Sequence, residues 1–385
     1  MLSLIGAISA LAACGSQNSN NNSNLGSGGE ANATGGSAAG GGPAAGGSNT
    51  GGGASGGAAS GGAPGSGGEG PLGSGGGDGT GGAPPKTGFQ CPAGSESLTP
   101  SLANKTLTAI TGVPEIVNNG GFLEGPVWYN GKLYLSQIDF SGPPPSGIIL
   151  TYTPGGAFAP FLTDVGTNGL AVDGEGRLYA TTVLNAGVIS FNADDATEPP
   201  VDVARMYNGA VFNSPNDLTV RSDGTVYFTD PTHNCGQECA QDPVKGVYRV
   251  PPGGAAELIT TTQDQPNGIA LSPDESVLYV GGTSVTKHPV MADGSVGAGT
   301  EFGTGQVSDG LAVDCAGNVY LAQYTLSKLV ILSPSGTPLA GEIAVQEPTN
   351  LAFGGPDNKT LYVTAFGDNR GKLYSVELEV PGFPY

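Results

Sequence analysis

The sequence predicts an all-β fold, a six-bladed β-propeller that follows a long segment rich in Gly and Ser. Six stretches in the second part of the chain share one pattern: a polar opening residue, a short alternating apolar strand, a Gly/Asp/Asn-rich turn and a second strand ending in an aromatic residue. They begin 41–51 residues apart, a period typical of propeller blades. In all six, 10–12 residues separate the polar opening residue from the aromatic residue.

Each stretch predicts a pair of antiparallel strands joined by a hairpin turn, because apolar and polar side chains alternate on both sides of the turn. Further strand candidates, such as residues 187–193 and 246–252, supply the outer strands of the blades. Four strands a blade and six blades fit residues 89–385. The six stretches open at Glu124, Asn168, Asn216, Asn267, Asp309 and Asn350.

The hairpin turns account for a set of acidic residues without any catalytic role. Asp and Gly fit such turns because the Asp side chain hydrogen-bonds the backbone two residues on. We therefore assign a turn role to Asp173, Asp223, Asp274, Asp314 and Asp357.

The first residues, MLSLIGAISALAACGS, form an uncharged apolar run that ends in small residues. This run resembles a bacterial lipoprotein signal, although no Lys or Arg precedes it. The resemblance implies that residues 1–13 are removed, that Cys14 is lipidated, and that Gly15 directs the protein to the outer membrane, on its periplasmic or cell-surface face. The alternative is a short buried helix.

Residues 14–88 predict a disordered tether, because Gly, Ser, Asn and Ala offer almost no apolar surface to offset the entropy of folding. The net charge of −20 argues against nucleic acid and anionic lipid surfaces as partners. The expected partner is a small molecule, the membrane is reached only through the lipid anchor, and the protein is expected to be a monomer.

The remaining cysteines are even in number, which in an exported protein favours two disulfides. Of the three possible pairings we favour Cys235 with Cys239 and Cys91 with Cys315. A zinc site at His233, Cys235 and Cys239 is the alternative, but it lacks a fourth ligand at a familiar spacing.

The opening residues suggest a binding site, because the first strand of each propeller blade lines the central channel. Two carboxylates and several amides packed together without a counter-charge are costly to desolvate. Hard oxygen donors without His or Cys select calcium or magnesium, and flexible geometry favours calcium. For Asn216 and Asp217 the alternative is a turn with local side-chain hydrogen bonds. We expect Asp217 to point away from Asn216 along the strand and to accept backbone N–H groups.

The segments EGPVW, SPND, PNG and SDG resemble those of the gluconolactonase and regucalcin family of calcium-dependent six-bladed propellers, from about residue 121 to 375. The resemblance implies that Glu124, Asn267 and Asp309 are metal ligands and that Asn216 contacts the metal or its substrate. Ser214 stands where animal sugar lactonases of this family carry a substrate-contacting arginine.

The predicted chemistry is hydrolysis of a lactone or related ester, with the metal as Lewis acid and a carboxylate assisting attack by water. Asp309 is the first candidate for the base and Glu124 the second. A phosphotriesterase-like hydrolase and a non-catalytic binding propeller with a structural metal are the alternatives.

Two residues have two possible roles each, and a third has one. Asn168 either binds a substrate hydroxyl or satisfies backbone groups, and His233 either lines the pocket or lies in a surface loop. His288, beside Pro289, is expected in a surface loop.

Overall fold

The computed structural model describes residues 90–115, 121–140, 145–232 and 244–383. The expectations for residues 1–13 and 14–88, for Cys14, for His233 and for the pairing of Cys235 with Cys239 lie outside the described residues. The described part contains short 3₁₀ helices at Ser95–Ser97 and Tyr324–Leu326 but no α-helix, and hence no helix that could span a membrane.

The described chain is built of 26 β-strands, of which the first half run to the middle of the third blade. In chain order they are β1 Thr108–Ile110, β2 Phe122–Tyr129, β3 Lys132–Asp139, β4 Ser146–Tyr152, β5 Phe158–Leu162, β6 Thr167–Val172, β7 Arg177–Thr182, β8 Gly187–Asn192, β9 Val201–Ala204, β10 Met206–Tyr207, β11 Ala210–Val211, β12 Leu218–Val220 and β13 Val226–Asp230.

The second half completes the third blade and forms the last three. These strands are β14 Gly246–Val250, β15 Glu257–Thr260, β16 Ile269–Leu271, β17 Val277–Val280, β18 Thr286–Pro289, β19 Thr300–Glu301, β20 Leu311–Val313, β21 Val319–Gln323, β22 Lys328–Leu332, β23 Ile343–Ala344, β24 Pro348–Gly354, β25 Thr360–Gly367 and β26 Arg370–Glu377.

These strands form six four-stranded antiparallel sheets, and β10 with β11 forms a separate hairpin. Five sheets use consecutive strands, whereas the sixth has the order β1-β26-β25-β24. The innermost strands β2, β6, β12, β16, β20 and β24 contact one another in sequence, and β24 also contacts β2. The sheets therefore close into a ring, which confirms the predicted six-bladed propeller.

The sixth sheet joins the two ends of the described chain. Strand β1 pairs with β26, with Thr108 opposite Ser375 and Ile110 opposite Leu373. The outer strand of the last blade thus comes from the beginning of the chain, and hydrogen bonds close the ring. The outer strands predicted at residues 187–193 and 246–252 form, as β8 and β14.

The hydrophobic core lies between neighbouring sheets. In one cluster Val127 and Tyr134 of the first blade pack with Leu170 and Phe191 of the second, and all four are buried. Burial of apolar surface between blades is the main favourable contribution to this fold. The Tyr134 hydroxyl donates to the Ala193 carbonyl, so this phenol is satisfied across the blade boundary.

The turn aspartates have the predicted role. Asp173 Oδ1 accepts the backbone N–H groups of Glu175 and Arg177, each at 2.9 Å. The corresponding carboxylates accept backbone N–H groups two residues on, at 2.9 Å from Thr225 to Asp223, 3.1 Å from Ser276 to Asp274, 2.9 Å from Ala316 to Asp314 and 3.2 Å from Lys359 to Asp357.

Two further expectations meet the structure here. A disulfide joins Cys91 to Cys315, across a sequence separation of 224 residues. The expectation that His288 lies in a surface loop is wrong. His288 lies in β18 opposite Leu278, is only 2% exposed, and its burial lowers the pKa of the imidazole. The adjacent proline suggested a loop, but Pro289 ends the strand rather than interrupting it.

Candidate active site at the centre of the propeller

The opening residues lie at one level around the channel. The residues opposite the repeated tyrosines set the common register of the inner strands: Val127, Ala171, Thr219, Ala270, Ala312 and Ala352. Three positions before each of these is the ring residue. The ring therefore consists of Glu124, Asn168, Asn216, Asn267, Asp309 and Thr349.

The sixth ring position corrects the sequence interpretation, which placed Asn350 there. Asn350 lies one position further along its strand, and Thr349 occupies the ring level. Its hydroxyl donates to the Leu123 carbonyl at 2.7 Å. The hairpin of this blade is the longest of the six, since Ala352 and its partner Tyr362 are 10 positions apart and the corresponding pairs of the other blades are 7 to 9 apart. Counting residues back from Tyr362 at the spacing of the other blades therefore placed Asn350, instead of Thr349, at the ring position.

A β-bulge follows the ring position in each blade. In the third blade the Asn216 N–H donates to the Thr229 carbonyl, and the Thr229 N–H donates to the Asp217 carbonyl, so two residues oppose one. The fourth blade repeats this with Asn267 and Gly268 opposite Gly281. Bulges bend a strand and redirect side chains. Asn216 and Asp217 are therefore not on opposite faces, as simple alternation predicted.

The layer beneath the ring contains four glycines. A Cβ on Gly169 would lie 2.7 Å from Asp217 Cα, and a Cβ on Gly310 would lie 2.6 Å from Asn350 Cα. Backbone hydrogen bonds, such as Gly169 N–H to the Asn216 carbonyl at 2.7 Å, hold the strands at this separation. This layer consists of Gly125, Gly169, Asp217, Gly268, Gly310 and Asn350.

An apolar layer lies below the glycines and lines a cavity in the channel. It separates the polar ring from the opposite end of the propeller, where Phe383 contributes to the same cavity. The ring is thus the floor of a site that faces one rim. The apolar layer comprises Pro126, Leu170, Leu218, Ile269, Leu311 and Leu351.

Three carboxylates meet in the two polar layers. Burial, together with the charges of Asp309 and Asp217, raises the pKa of Glu124 well above its usual value. Burial raises the pKa of Asp217 to about 7. Burial and the charge of Asp217 raise the pKa of Asp309 to about 8. Within the described part of the chain, no Lys, Arg or His forms an ion pair with any of the three.

Neutral donors hold these carboxylates in place. Glu124 Oε2 accepts the Gly125 N–H at 3.1 Å and Asn350 Nδ2 at 3.2 Å. Asp217 Oδ1 accepts the Leu218 N–H at 2.9 Å, Oδ2 accepts Asn350 Nδ2 at 3.3 Å, and the Ile269 N–H is a further donor. The Asn267 side chain donates to Asp309. A positive charge would further stabilise such a cluster of carboxylates.

Comparison with known proteins identifies the family. The sequence profile of the SMP-30/Gluconolactonase/LRE-like region matches residues 122–367. The chain belongs to this family. The resemblance stated from the sequence motifs is therefore confirmed, and the matched residues run from the strand that carries Glu124 to the end of β25.

Curated relatives in this family are lactonases by name. The chain is 28% identical over 295 residues to a gluconolactonase of Zymomonas mobilis, covering 67% of this chain and 80% of the relative. It is 28% identical over 290 residues to a pentonolactonase of Haloferax volcanii, covering 68% of this chain and 92% of the relative.

Solved structures of the family share the fold. A gluconolactonase of Xanthomonas campestris matches with a TM-score of 0.61 and 24% identity, covering 77% of this chain and 98% of that structure. The calcium-binding protein regucalcin of Agrobacterium tumefaciens matches with a TM-score of 0.57 and 19% identity, covering 69% and 93%.

The donor set of the ring fits a hard divalent cation of the kind this family implies. The structure brings the predicted ligands to equivalent positions in four blades. Glu124 lies within β2, and Asn216, Asn267 and Asp309 each lie two residues before an inner strand. In the described part of the chain no three His, Cys, Asp or Glu side chains are grouped as a metal site. The predicted set contains only two carboxylates and completes its oxygens with amides. Ligation by these four residues stays a prediction.

Asn168 also lies on the ring and is only 2% exposed. Its Oδ1 atom has no hydrogen-bond partner among the described residues. A buried acceptor without a donor is costly, which favours a substrate hydroxyl or a water molecule as its partner. The alternative role, satisfying backbone groups, is not seen for this oxygen among the described residues.

The sequence interpretation underestimated the contacts of Asp217. Asp217 accepts backbone N–H groups as expected, but its charge also acts on Glu124 and Asp309. One signal was present in the sequence: Asp217 follows its opening residue at a position that is Gly in four other repeats.

Asp230 accepts hydrogen bonds from the loop before Asn216 and holds that loop in place. Asp230 Oδ1 accepts the Ser214 N–H at 2.7 Å, and Oδ2 accepts the backbone and side-chain N–H groups of Asn213 at 3.0 and 2.9 Å. Ser214 itself is fully buried, and its hydroxyl has no partner among the described residues. Ser214, at the position where animal sugar lactonases carry an arginine, is thus a small and neutral residue.

A tyrosine and a glutamate meet at the rim above the ring, and the motifs gave no signal for either. Tyr324 follows β21, and Glu347 lies two residues before Thr349. The Tyr324 hydroxyl donates to Glu347, and its pKa is raised by burial, by Glu347 and by the charges of Asp309 and Glu124. Glu347 has a left-handed backbone with φ of 43°.

Proposed function

We propose that this protein is a calcium-dependent hydrolase that opens a lactone, with the ring of oxygen donors as its active site. The supporting observation is the meeting of Glu124, Asp217 and Asp309 at the centre of a lactonase-family propeller without a cationic partner among the described residues. Buried carboxylates without a counter-charge are costly, and a bound cation removes that cost.

Four residues would hold the cation: Glu124, Asn216, Asn267 and Asp309. Carboxylate and amide oxygens are the ligands that calcium prefers, and no sulfur or imidazole lies among them. When bound, a divalent cation supplies Lewis-acid chemistry toward a carbonyl oxygen.

The side chains of the chain supply the remaining functions. Asp309 accepts the proton of the attacking water as the general base. Glu124 is the second candidate for this proton. Asn168 Oδ1 accepts a substrate hydroxyl, and Asn216 contacts the substrate beside the cation. The water oxygen adds to the lactone carbonyl carbon and the ring C–O bond breaks. The proton taken up by Asp309 passes to the leaving oxygen, which gives the corresponding hydroxy acid.

Relatives named gluconolactonase and pentonolactonase support sugar lactones as the first substrates to test. We include His233 among the substrate contacts on the basis of its sequence position after β13. We also propose export and lipidation at Cys14, which rest on the apolar run at residues 1–13.

The function is tested with a panel of lactones, aryl esters and phosphotriesters, each assayed with calcium and with a chelator. We expect lactone turnover that the chelator abolishes and added calcium restores. Turnover of phosphotriesters alone would favour the phosphotriesterase alternative. The absence of calcium-dependent turnover across the whole panel would favour a binding propeller.

The ligand assignment is tested with Glu124→Gln and Asp309→Asn, which keep side-chain shape and remove one charge each. Both variants should lose calcium binding in isothermal titration calorimetry, because the dication then faces fewer anionic donors. Asp357→Asn, in an exposed hairpin turn, is the matched control and should bind normally. Unchanged binding in both ring variants would refute the assignment.

A further inference from the structure

The layer beneath the ring contains one neutral polar side chain, Asn350. It lies in β24 of the sixth blade at a position that is Gly in four other blades and Asp217 in the third. In a six-bladed wheel the third and sixth blades face each other across the axis. Asn350 and Asp217 therefore meet beneath the ring, where most blades place no side chain.

The orientation of the Asn350 amide is fixed by its own strand. Asn350 Oδ1 accepts the Leu351 N–H at 2.8 Å, and only the oxygen of the amide can accept that bond. The amide nitrogen must then point toward the axis. It donates to Glu124 Oε2 at 3.2 Å and to Asp217 Oδ2 at 3.3 Å.

The surrounding residues hold Asn350 rigidly. Its backbone N–H donates to Thr364 Oγ1 at 3.0 Å. Gly310 of the fifth blade packs so closely that a Cβ there would lie 2.0 Å from Asn350 Oδ1. The side chain is thus confined between two blades and is only 5% exposed.

The hydrogen bond from Asn350 gives the two oxygens of the Glu124 carboxylate different roles. Both hydrogen bonds that Glu124 accepts within the described chain end at Oε2, one from Gly125 and one from Asn350. Oε1 accepts neither of these hydrogen bonds, which leaves it available to a ligand in the ring. The same amide nitrogen also lies between two carboxylates that would otherwise repel each other.

We propose that Asn350 is a positioning residue that orients Glu124 Oε1 toward a cation in the ring and holds the Glu124 and Asp217 carboxylates at a fixed separation. The inference rests on the proposed function, because it assigns Asn350 to the same cation site. Hydrogen-bond partners behind a metal ligand commonly contribute 10- to 100-fold in metal affinity.

The test compares Asn350→Leu and Asn350→Ser with the wild-type chain by calorimetric calcium titration and by thermal unfolding with and without calcium. We expect Asn350→Leu to weaken calcium binding about 10- to 100-fold. Asn350→Ser keeps a single shorter donor and should show a smaller loss. The calcium-induced increase in Tm should shrink in the same order.

Asn318→Leu is the matched control. Asn318 is a buried amide whose Nδ2 donates to both oxygens of Asp314, at 3.0 and 2.9 Å, in the turn between β20 and β21. Its loss should lower Tm while leaving calcium affinity unchanged. A purely structural Asn350 would behave in the same way.

The outcomes separate this inference from the proposed function. If the wild type binds calcium and both Asn350 variants bind it with wild-type affinity, the positioning role is refuted while the hydrolase proposal stands. If the leucine variant does not fold, the serine variant decides by the same criterion. If the wild type itself binds no calcium, both proposals fail.

Discussion

At the scale of single residues, the centre of this protein contains carboxylates whose ionised form is disfavoured by burial. Asp217 is buried, and the donors around it are backbone and amide N–H groups rather than cations. These hydrogen bonds do not offset the effect of burial, and the pKa of Asp217 is raised to about 7. A ligand of opposite charge would offset the cost of ionising Asp217.

A pH dependence of stability follows for the cation-free protein. Asp217 and Asp309 have ordinary pKa values of 3.8 and folded-state values of about 7 and about 8. Between these values the folded state binds more protons than the unfolded state. Its unfolding free energy should therefore fall as pH rises from about 4 to about 8, by up to about 1.4 kcal/mol per pH unit for each titrating group.

Urea unfolding in the presence of a chelator at several pH values measures this slope. Asp217→Asn should flatten the slope, because one of the titrating groups is gone, and added calcium should reduce the decline in the wild type. Identical slopes in the wild type and the variant would show that Asp217 does not titrate in this range.

Sequence patterns located the ring residues of five blades because each combines a polar side chain with a spacing of 10–12 residues to a tyrosine. They misplaced the sixth, since turn length varies and a one-residue shift leaves Thr349 and Asn350 equally plausible. Tyr324 and Glu347 were not predictable, because their contact depends on how the fifth and sixth blades pack and neither belongs to the repeat.

At the scale of elements, the repeat encodes a bulge as well as a strand. The sequence predicted the hairpins, their turns and several third strands because alternation and turn chemistry are local properties. The bulge at the start of each inner strand is not visible in alternation, which assigns Asn216 and Asp217 to opposite faces. Only the pairing of both residues with Thr229 shows the bulge.

The glycines after the ring residues should resist substitution. In Gly169→Ala the added Cβ would lie 2.4 Å from Asp217 Oδ1 and 2.7 Å from its Cα, so the second and third blades must separate. We expect a loss of about 1–3 kcal/mol of unfolding free energy from overpacking, together with weaker calcium binding.

Chemical denaturation and calcium titration of the purified variant measure both effects. Gly254→Ala is the control, because Gly254 is exposed, lacks a left-handed φ and would bring its Cβ no closer than 3.3 Å to another atom. Full stability and affinity in Gly169→Ala would contradict the close approach of these strands.

At the scale of the whole molecule, two long-range links secure the closed ring. Strand β1 completes the sixth sheet, and the disulfide ties Cys91 to Cys315 in the fifth blade. Because the linked residues are 224 positions apart, the bond restricts a large part of the unfolded chain. The segment before β1 is thereby held beside the blades that it helps to complete.

Removal of this disulfide should destabilise the propeller without changing its chemistry. In Cys91→Ser we expect a loss of about 2–5 kcal/mol of unfolding free energy, seen as a lower calorimetric Tm, while calcium affinity is retained. The double variant Cys91→Ser with Cys315→Ser is the control. Its unfolding free energy should differ from that of Cys91→Ser only by a small packing contribution, because both variants lack the disulfide. An unchanged Tm would show that the link contributes little.

The pairing of β1 with β26 has a consequence for how the gene could be rearranged. Because both strands belong to one sheet, the wheel has no privileged starting blade, and its closure depends on hydrogen bonds rather than on chain order. A circular permutant that joins the two ends and opens a loop between two other blades would retain every sheet. The oxygen donors would still converge, since each is positioned by its own blade and the two beside it.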